Sequence, residues 1–193
     1  MEIFYSIQGE GHHQGTPAIF VRLAGCDVGC LWCDVKESWD ATGYPKMSSK
    51  EIAAEIADYP CQTVIITGGE PVMYDLKNLT HELSSQGYRL HLETSGAYEI
   101  TGKWDWICFS PKKFMKPDPD VYSKAHELKT IVYNKSDFKW GESFKSHLNE
   151  ACKLYFQPEW SKSDAVTPLI IDYIKSNSHW NISLQTHKFL HIP

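Results

Sequence analysis

Long apolar runs, positive charge and cysteine are all in short supply in this chain. No apolar stretch is long enough to cross a bilayer, which excludes a helical membrane span. Lys and Arg total 19 against 24 Asp and Glu, a formal net charge of −5, so there is no basic footprint for nucleic acid or an anionic membrane surface. Met1 leads at once into Ile3-Phe4-Tyr5 without the basic segment that opens a secretory leader. No repeat, low-complexity tract or linker interrupts the 193 residues. Together these absences predict one domain over residues 1–193, soluble and cytoplasmic, with a hydrophobic content of 42% that is enough to build a core.

Of the six cysteines, Cys61, Cys108 and Cys152 are scattered singly. The other three form Cys26-x-x-x-Cys30-x-x-Cys33, directly after the apolar run Ala18 to Leu23. A disulfide framework would leave one of three clustered thiols unpaired, in a chain without a leader. Zinc in a Cys₃His site is an alternative, with His12 and His13 nearby in sequence, but structural zinc usually takes two separated ligand pairs and no second pair is present. The spacing favours an iron–sulfur cluster. Three thiolates on a four-iron cluster leave one iron open.

Extended apolar runs alternate with amphipathic ones, the pattern of parallel strands crossed by helices. Strands are expected at Pro17 to Ala24, Thr63 to Thr67, Arg89 to Thr94, Trp106 to Ser110, Leu128 to Tyr133, Leu154 to Gln157 and Ile182 to Gln185. Ser48-x-x-Glu51 is a capping box that opens a helix to Asp58, with Ile52 and Ile56 on one face. Leu76, Leu79 and Leu83 repeat at helical spacing before Gly87, and Val166, Leu169, Ile170, Tyr173 and Ile174 form a longer core stripe. Asp137 to Ala151 is a weaker helix because Gly141 interrupts it. The strand Val64 to Thr67 runs into Gly68-Gly69-Glu70-Pro71, a turn whose glycines let backbone approach a ligand and whose carboxylate has the chemistry to hold an ammonium.

The thiol loop followed by Gly-Gly-Glu-Pro resembles the radical S-adenosylmethionine (SAM) enzymes. That resemblance implies a modified, incomplete (β/α) barrel with mostly parallel strands, a 4Fe-4S cluster on Cys26, Cys30 and Cys33, and SAM bound to the open iron. Tyr5 to Gly11, Phe20 to Cys26, Leu92 to Gly96, Ser110 to Lys112, Glu127 to Lys129, Gln157 to Glu159, Gln185 to Lys188 and the final Ile192-Pro193 are similar, in order, to the 7-carboxy-7-deazaguanine synthase family of the queuosine pathway. The family implies a 5′-deoxyadenosyl radical that takes hydrogen from C6 of 6-carboxy-5,6,7,8-tetrahydropterin. Ring contraction and loss of ammonia follow, with SAM regenerated, a flavodoxin-type reductase as electron donor and a homodimer as assembly.

Carried onto this chain, the resemblance implies that Ile7, Gln8, Gly9, Glu10, Arg22, Thr67 and Pro193 bind the pterin. It implies that Trp32, Cys33, Asp34, Gly69, Ser110, Pro111, Lys112, Gln157, Pro158, Glu159 and Trp160 surround SAM, and that Glu93 and His187 are further candidates. Residue chemistry agrees at two points. Backbone and amide groups of Gln8-Gly9, with the Glu10 carboxylate, match the donors and acceptors of an aminopyrimidinone. Arg22 sits inside an apolar strand, where Phe20 and Ala24 suggest that it faces inward and needs an anion, either the substrate carboxylate or a structural ion-pair partner. Val35 stands where the family often has a threonine whose hydroxyl helps bind Mg²⁺. Valine offers no oxygen, so bound Mg²⁺ has to rely on other oxygens and water, and weak or absent Mg²⁺ stimulation is expected. Two alternatives share part of the signature: an activating enzyme for a glycyl-radical protein, which needs no pterin segment, and a non-enzymatic zinc module, which shares only the thiols.

Overall fold

The computed structural model describes residues 2–193; Met1, on which the leader argument begins, lies outside the described residues. Eight strands form one sheet in chain order: β1 (Glu2–Ile7), β2 (Pro17–Leu23), β3 (Thr63–Gly68), β4 (Arg89–Thr94), β5 (Trp106–Phe109), β6 (Glu127–Val132), β7 (Lys153–Pro158) and β8 (Trp180–Ile182). β1 runs antiparallel to β2, and every other neighbouring pair is parallel. β1 and β8 do not pair with each other, so the sheet is open. Helices α1 (Ser49–Ile56), α2 (Lys77–Ser85), α3 (Asp120–Lys124), α4 (Ser136–Lys145) and α5 (Ser163–Ser176) follow β2, β3, β5, β6 and β7, β4 leads to β5 without a helix, and α6 (Thr186–Leu190) comes last. This is an α/β fold of the expected class.

Side-chain alternation divides the sheet into two chemically different faces. Val64, Ile66, Leu90, Leu92, Ile107, Phe109, Leu128 and Phe156 point to the helices and join Ile52, Ile56, Leu79, Leu83, Val166 and Ile170 in one core. The opposite face carries Arg22, Glu93, Lys129 and Gln157, charged or polar groups that an apolar core would exclude. The helical periods and the Ser48 capping box are as expected, the latter with both reciprocal hydrogen bonds formed.

Three elements differ from expectation. β1 was not among the expected strands, although it carries Ile3, Phe4, Tyr5 and Ile7: it is a six-residue edge strand with no buried residue of its own. The strand expected at Ile182 to Gln185 instead ends at Ile182, and Gln185 precedes α6. β8 is positioned by Trp180, which is buried and stacked on Phe156 with ring centres 3.8 Å apart. The third difference is α4, which stops at Lys145 and carries Gly141 inside it without a break.

Gly141 is a packing residue, because a Cβ there would lie 2.7 Å from Phe156 Cε1. Alanine would add about 1 kcal/mol of helix propensity, against about 1–3 kcal/mol for overpacking a ring that is itself wedged against Phe138 and Trp180. Gly141→Ala is therefore expected to lower the thermal midpoint by a few degrees. A raised midpoint would show that α4 yields more easily than its contacts imply.

Candidate active site

The C-terminal ends of the parallel strands open onto a cavity of about 990 Å³ on the polar face of the sheet. Every site residue expected from the sequence lines it except Pro111, which is buried nearby in sequence but does not reach the cavity wall.

The thiol loop leaves the end of β2. Cys30 is buried, Cys26 and Cys33 are half-buried, and all three are free thiols. Burial pushes the Cys26 and Cys30 thiols above their ordinary range, and at Cys30 the Lys112 ammonium opposes that effect. The loop is held through backbone: Gly25 N donates to Ser38 O at 2.6 Å, Cys26 N to Trp39 O at 3.2 Å, and Glu70 N to Gly25 O at 2.9 Å. The Gly68-Gly69 turn lies directly on this loop. A Cβ on Gly69 would come 2.2 Å from Gly25 O and 2.8 Å from Cys26 Cβ, and Gly68 has φ +142°. Only glycine fits this approach.

Glu70 differs from its sequence-based expectation. Its carboxylate is buried and accepts from Thr94 Oγ1 at 2.5 Å, Ser95 N at 2.8 Å, Val72 N at 3.3 Å and the Ser95 hydroxyl. It braces the turn from within instead of presenting a free carboxylate to an ammonium. Lys112 shows the reverse. Its Nζ donates to Ser110 O at 2.8 Å and Ser110 Oγ at 2.6 Å, and among the described residues no carboxylate lies within ion-pair distance. Burial lowers its pKa, and a cation so placed on a cavity wall is ready to take an anion.

Around the mouth, Trp32 packs between Phe114 and Tyr133, and Asp34 accepts from Lys188 at 2.8 Å. Gln157 accepts from the Ser183 hydroxyl at 2.6 Å, and Glu159 from Ser161 N and Oγ. Trp160 is exposed, with Phe189 at its edge and the Lys188 ammonium over its ring.

The segment after β1 forms the other half of the cavity. Gln8 Nε2 donates to Glu93 Oε1 at 3.1 Å, and Glu10 N donates to Gln8 Oε1 at 3.1 Å. Thr186 N and Oγ1 both donate to Gly9 O, and a Cβ on Gly9 would meet His187 Nδ1 at 2.2 Å. Glu10 accepts from Gln185 Nε2 at 2.9 Å and from Lys129 Nζ at 2.6 Å; Lys129 also donates to Glu93 Oε2 at 2.9 Å. Burial pushes the Glu10 carboxyl up, but the Lys129 charge and the hydrogen bonds from Lys129 and Gln185 outweigh it and bring it down to about 2. α6 and the Gln185 that precedes it therefore strap the two halves together, reaching Gly9 and Glu10 on one side and Asp34 on the other.

Thr67 and Ile7 line the cavity, and Pro193 O accepts from the Ser6 hydroxyl at its edge. Arg22 lines it too, but is less enclosed than its strand context suggested, with 24% of the side chain exposed. Its guanidinium pairs with Glu2 and lies 5.1 Å from the Phe4 ring centre. β1, unrecognised in the sequence, supplies that partner. Lys129 and Gln185 had no assigned role; the signal for Lys129 was the charged alternation Glu127-x-Lys129 in an apolar strand.

The donor chemistry fits an iron–sulfur cluster: three free thiols on one loop with a turn without side chains against it, although among the described residues no three ligating side chains are gathered as a metal site. His12 and His13, the candidate fourth ligands for zinc, do not join the thiols. His12 stacks on Trp106 with ring centres 4.8 Å apart, and His13 packs on His91 at 4.5 Å. Among the described residues no helix is long and apolar enough to cross a membrane.

Residues 20–102 match the family model of the radical SAM superfamily, the class that this thiol loop on an open parallel sheet describes. That class implies a 4Fe-4S cluster and SAM. Over its whole length the chain is 50% identical to the 7-carboxy-7-deazaguanine synthase of Flavobacterium psychrophilum, covering 91% of that protein. It is 46% identical to the synthase of Synechocystis, with 98% of this chain and 90% of the relative covered. The crystal structure of QueE from Escherichia coli matches with a TM-score of 0.86 at 32% identity, over 95% of this chain and 92% of that one. The chain belongs to the 7-carboxy-7-deazaguanine synthase family.

Proposed function

We propose that this protein converts 6-carboxy-5,6,7,8-tetrahydropterin to 7-carboxy-7-deazaguanine and ammonia, in queuosine and 7-deazapurine biosynthesis. The observation that carries the proposal is the single cavity lined by both the thiol loop and the Gln8-Gly9-Glu10 segment. When bound, the cluster and SAM supply the 5′-deoxyadenosyl radical that takes hydrogen from C6.

The chain's own residues bind and orient. Cys26, Cys30 and Cys33 hold the cluster. Gly69 offers backbone to SAM, and Lys112, fixed by Ser110, offers its ammonium to the SAM carboxylate. Pro111 stiffens that connection. Trp32, Asp34 and Gln157 to Trp160 enclose the nucleoside, with Lys188 holding Asp34 in place. At the other end Ile7, Gln8, Gly9 and Glu10 read the nitrogen-rich edge of the pterin, with Thr67 and Pro193 beside it. Arg22 takes the substrate carboxylate, for which it has to exchange its bond to the partly exposed Glu2. A surface ion pair is worth at most about 1 kcal/mol, so a bidentate carboxylate competes well for it.

No side-chain oxygen is available at Val35, so Mg²⁺ is expected to raise turnover less than about twofold over a chelated control. A strong dependence would mean that other oxygens build the site. A flavodoxin-type reductase, a homodimeric assembly, a cytoplasmic location and a single domain over residues 1–193 complete the proposal.

The test is anaerobic reconstitution with iron and sulfide, followed by SAM, reductant and the carboxytetrahydropterin, with products separated chromatographically. Carboxydeazaguanine is the expected product. Formation of 5′-deoxyadenosine alone would retain the radical chemistry and discard the substrate.

A further inference from the structure

Lys129 is 3% exposed, in the middle of a sheet, and it touches two carboxylates brought in from different parts of the chain. Glu10 comes from the β1–β2 connection and Glu93 from β4. Two carboxylates and one ammonium leave one net negative charge at the end of the cavity away from the thiols. Each carboxylate also carries an amide anchor: Gln185 Nε2 on Glu10 and Gln8 Nε2 on Glu93. Gln8 is tied in turn to Glu10 N through its own oxygen. Such a closed arrangement restricts the orientation of both carboxylates before any ligand arrives.

We propose that Lys129 is a positioning residue for the reaction: its ammonium sits between the Glu10 and Glu93 carboxylates and fixes the orientation of both, so that they present acceptors to the N–H groups of the substrate's aminopyrimidinone edge. The proposal rests on the substrate assigned above. Its physical core is that one proton taken up by Glu10 turns an acceptor into a donor, and a donor facing an N–H group repels it. Burial alone favours that protonation, and the ammonium prevents it. The groups that face this pair are the Lys129 ammonium, the Glu127 carboxylate two residues before it on β6, the Cys108 thiol on β5, the His13 imidazole beside Glu93 and the His187 imidazole on α6. Burial drives His187 down and Cys108 up, away from neutrality. Loss of Lys129 also relieves its downward effect on His187 and on the buried Glu127, so the new ionisation is assigned with Lys129→Met/Glu10→Gln, in which it should disappear.

The test uses the reconstituted full chain, Lys129→Met and Lys129→Arg. Binding of fluorescent, redox-inactive 6-carboxypterin is measured from pH 6 to 8.5, beside kcat and KM for the carboxytetrahydropterin. Lys129→Met is expected to bind the probe roughly 30-fold or more weakly at pH 6.5 and to recover as pH rises, while wild type stays flat. Its turnover should show the same rising limb, with substrate-independent cleavage of SAM retained. Lys129→Arg keeps the charge and should keep the flat profile with a raised KM. It remains a test if the methionine variant does not fold, because a neutral-range ionisation in Lys129→Arg would contradict the proposal. A uniform loss at all pH values in Lys129→Met, or no loss, would overturn the positioning role. Wild-type protein that cleaves SAM but neither binds the probe nor converts the pterin would overturn the substrate assignment, and this proposal with it.

Discussion

Cys30→Ala is expected to eliminate reductive cleavage of SAM, with 5′-deoxyadenosine falling to the level of protein-free controls. Cys30 is the most enclosed of the three thiols and the one nearest in charge effect to Lys112. A four-iron cluster with two protein thiolates has two open irons, one more than SAM occupies, and is lost to solvent or rebuilt. The effect should exceed the roughly 10–100-fold typical of losing an outer hydrogen-bond partner of a metal ligand. The fold should be nearly unaffected, since the substitution removes one atom from a loop held by backbone bonds through Gly25 and Cys26. Iron content, the brown chromophore and the far-ultraviolet spectrum check this together. A variant that retains four irons per chain and cleaves SAM would remove Cys30 from the ligand set.

Glu70→Ala is expected to have the largest effect on stability of any single change around the cavity, about 3–5 kcal/mol. Its carboxylate is the common acceptor for two hydroxyls and two backbone N–H groups from Val72, Thr94 and Ser95. Alanine would strand several of these buried donors, each costing about 1–3 kcal/mol, with partial relief if water enters. For a chain of this size that corresponds to a drop in thermal midpoint of roughly 10 °C. Glu70→Gln keeps one acceptor but turns an amide NH₂ toward donors, so it should fall between alanine and wild type. Urea unfolding of the metal-free proteins measures both. A loss below about 1 kcal/mol for alanine would show that Thr94 and Ser95 find other acceptors easily. Because Gly69 lies against Gly25 and Cys26, the same variant should also load iron less completely.

Much of the molecule is legible in its sequence. The capping box at Ser48, the apolar period of α2 and α5, and six of the eight strands show in local pattern, because each buries one face against a continuous core. The thiol spacing and the Gly-Gly-Glu-Pro turn were legible for the same reason: their chemistry is set by neighbours in sequence. β1 is not legible, because its short apolar segment Ile3-Phe4-Tyr5 becomes a strand only through antiparallel pairing with β2, and a helix pattern cannot show that Phe156 occupies the space a side chain at Gly141 would need.

The sequence by itself determined the spacing of the three clustered thiols, the alternation of strands and helices, and the residue types at the strand ends. The tertiary structure alone decided which charges meet. It paired Arg22 with Glu2 across an unrecognised strand, turned Glu70 inward onto donors 25 residues away, and set Lys129 between carboxylates 119 and 36 positions distant. Local patterns reflect backbone period and burial, which act over a few residues. Ion pairing inside a sheet depends on strand order and register, and these are settled only when the whole core packs.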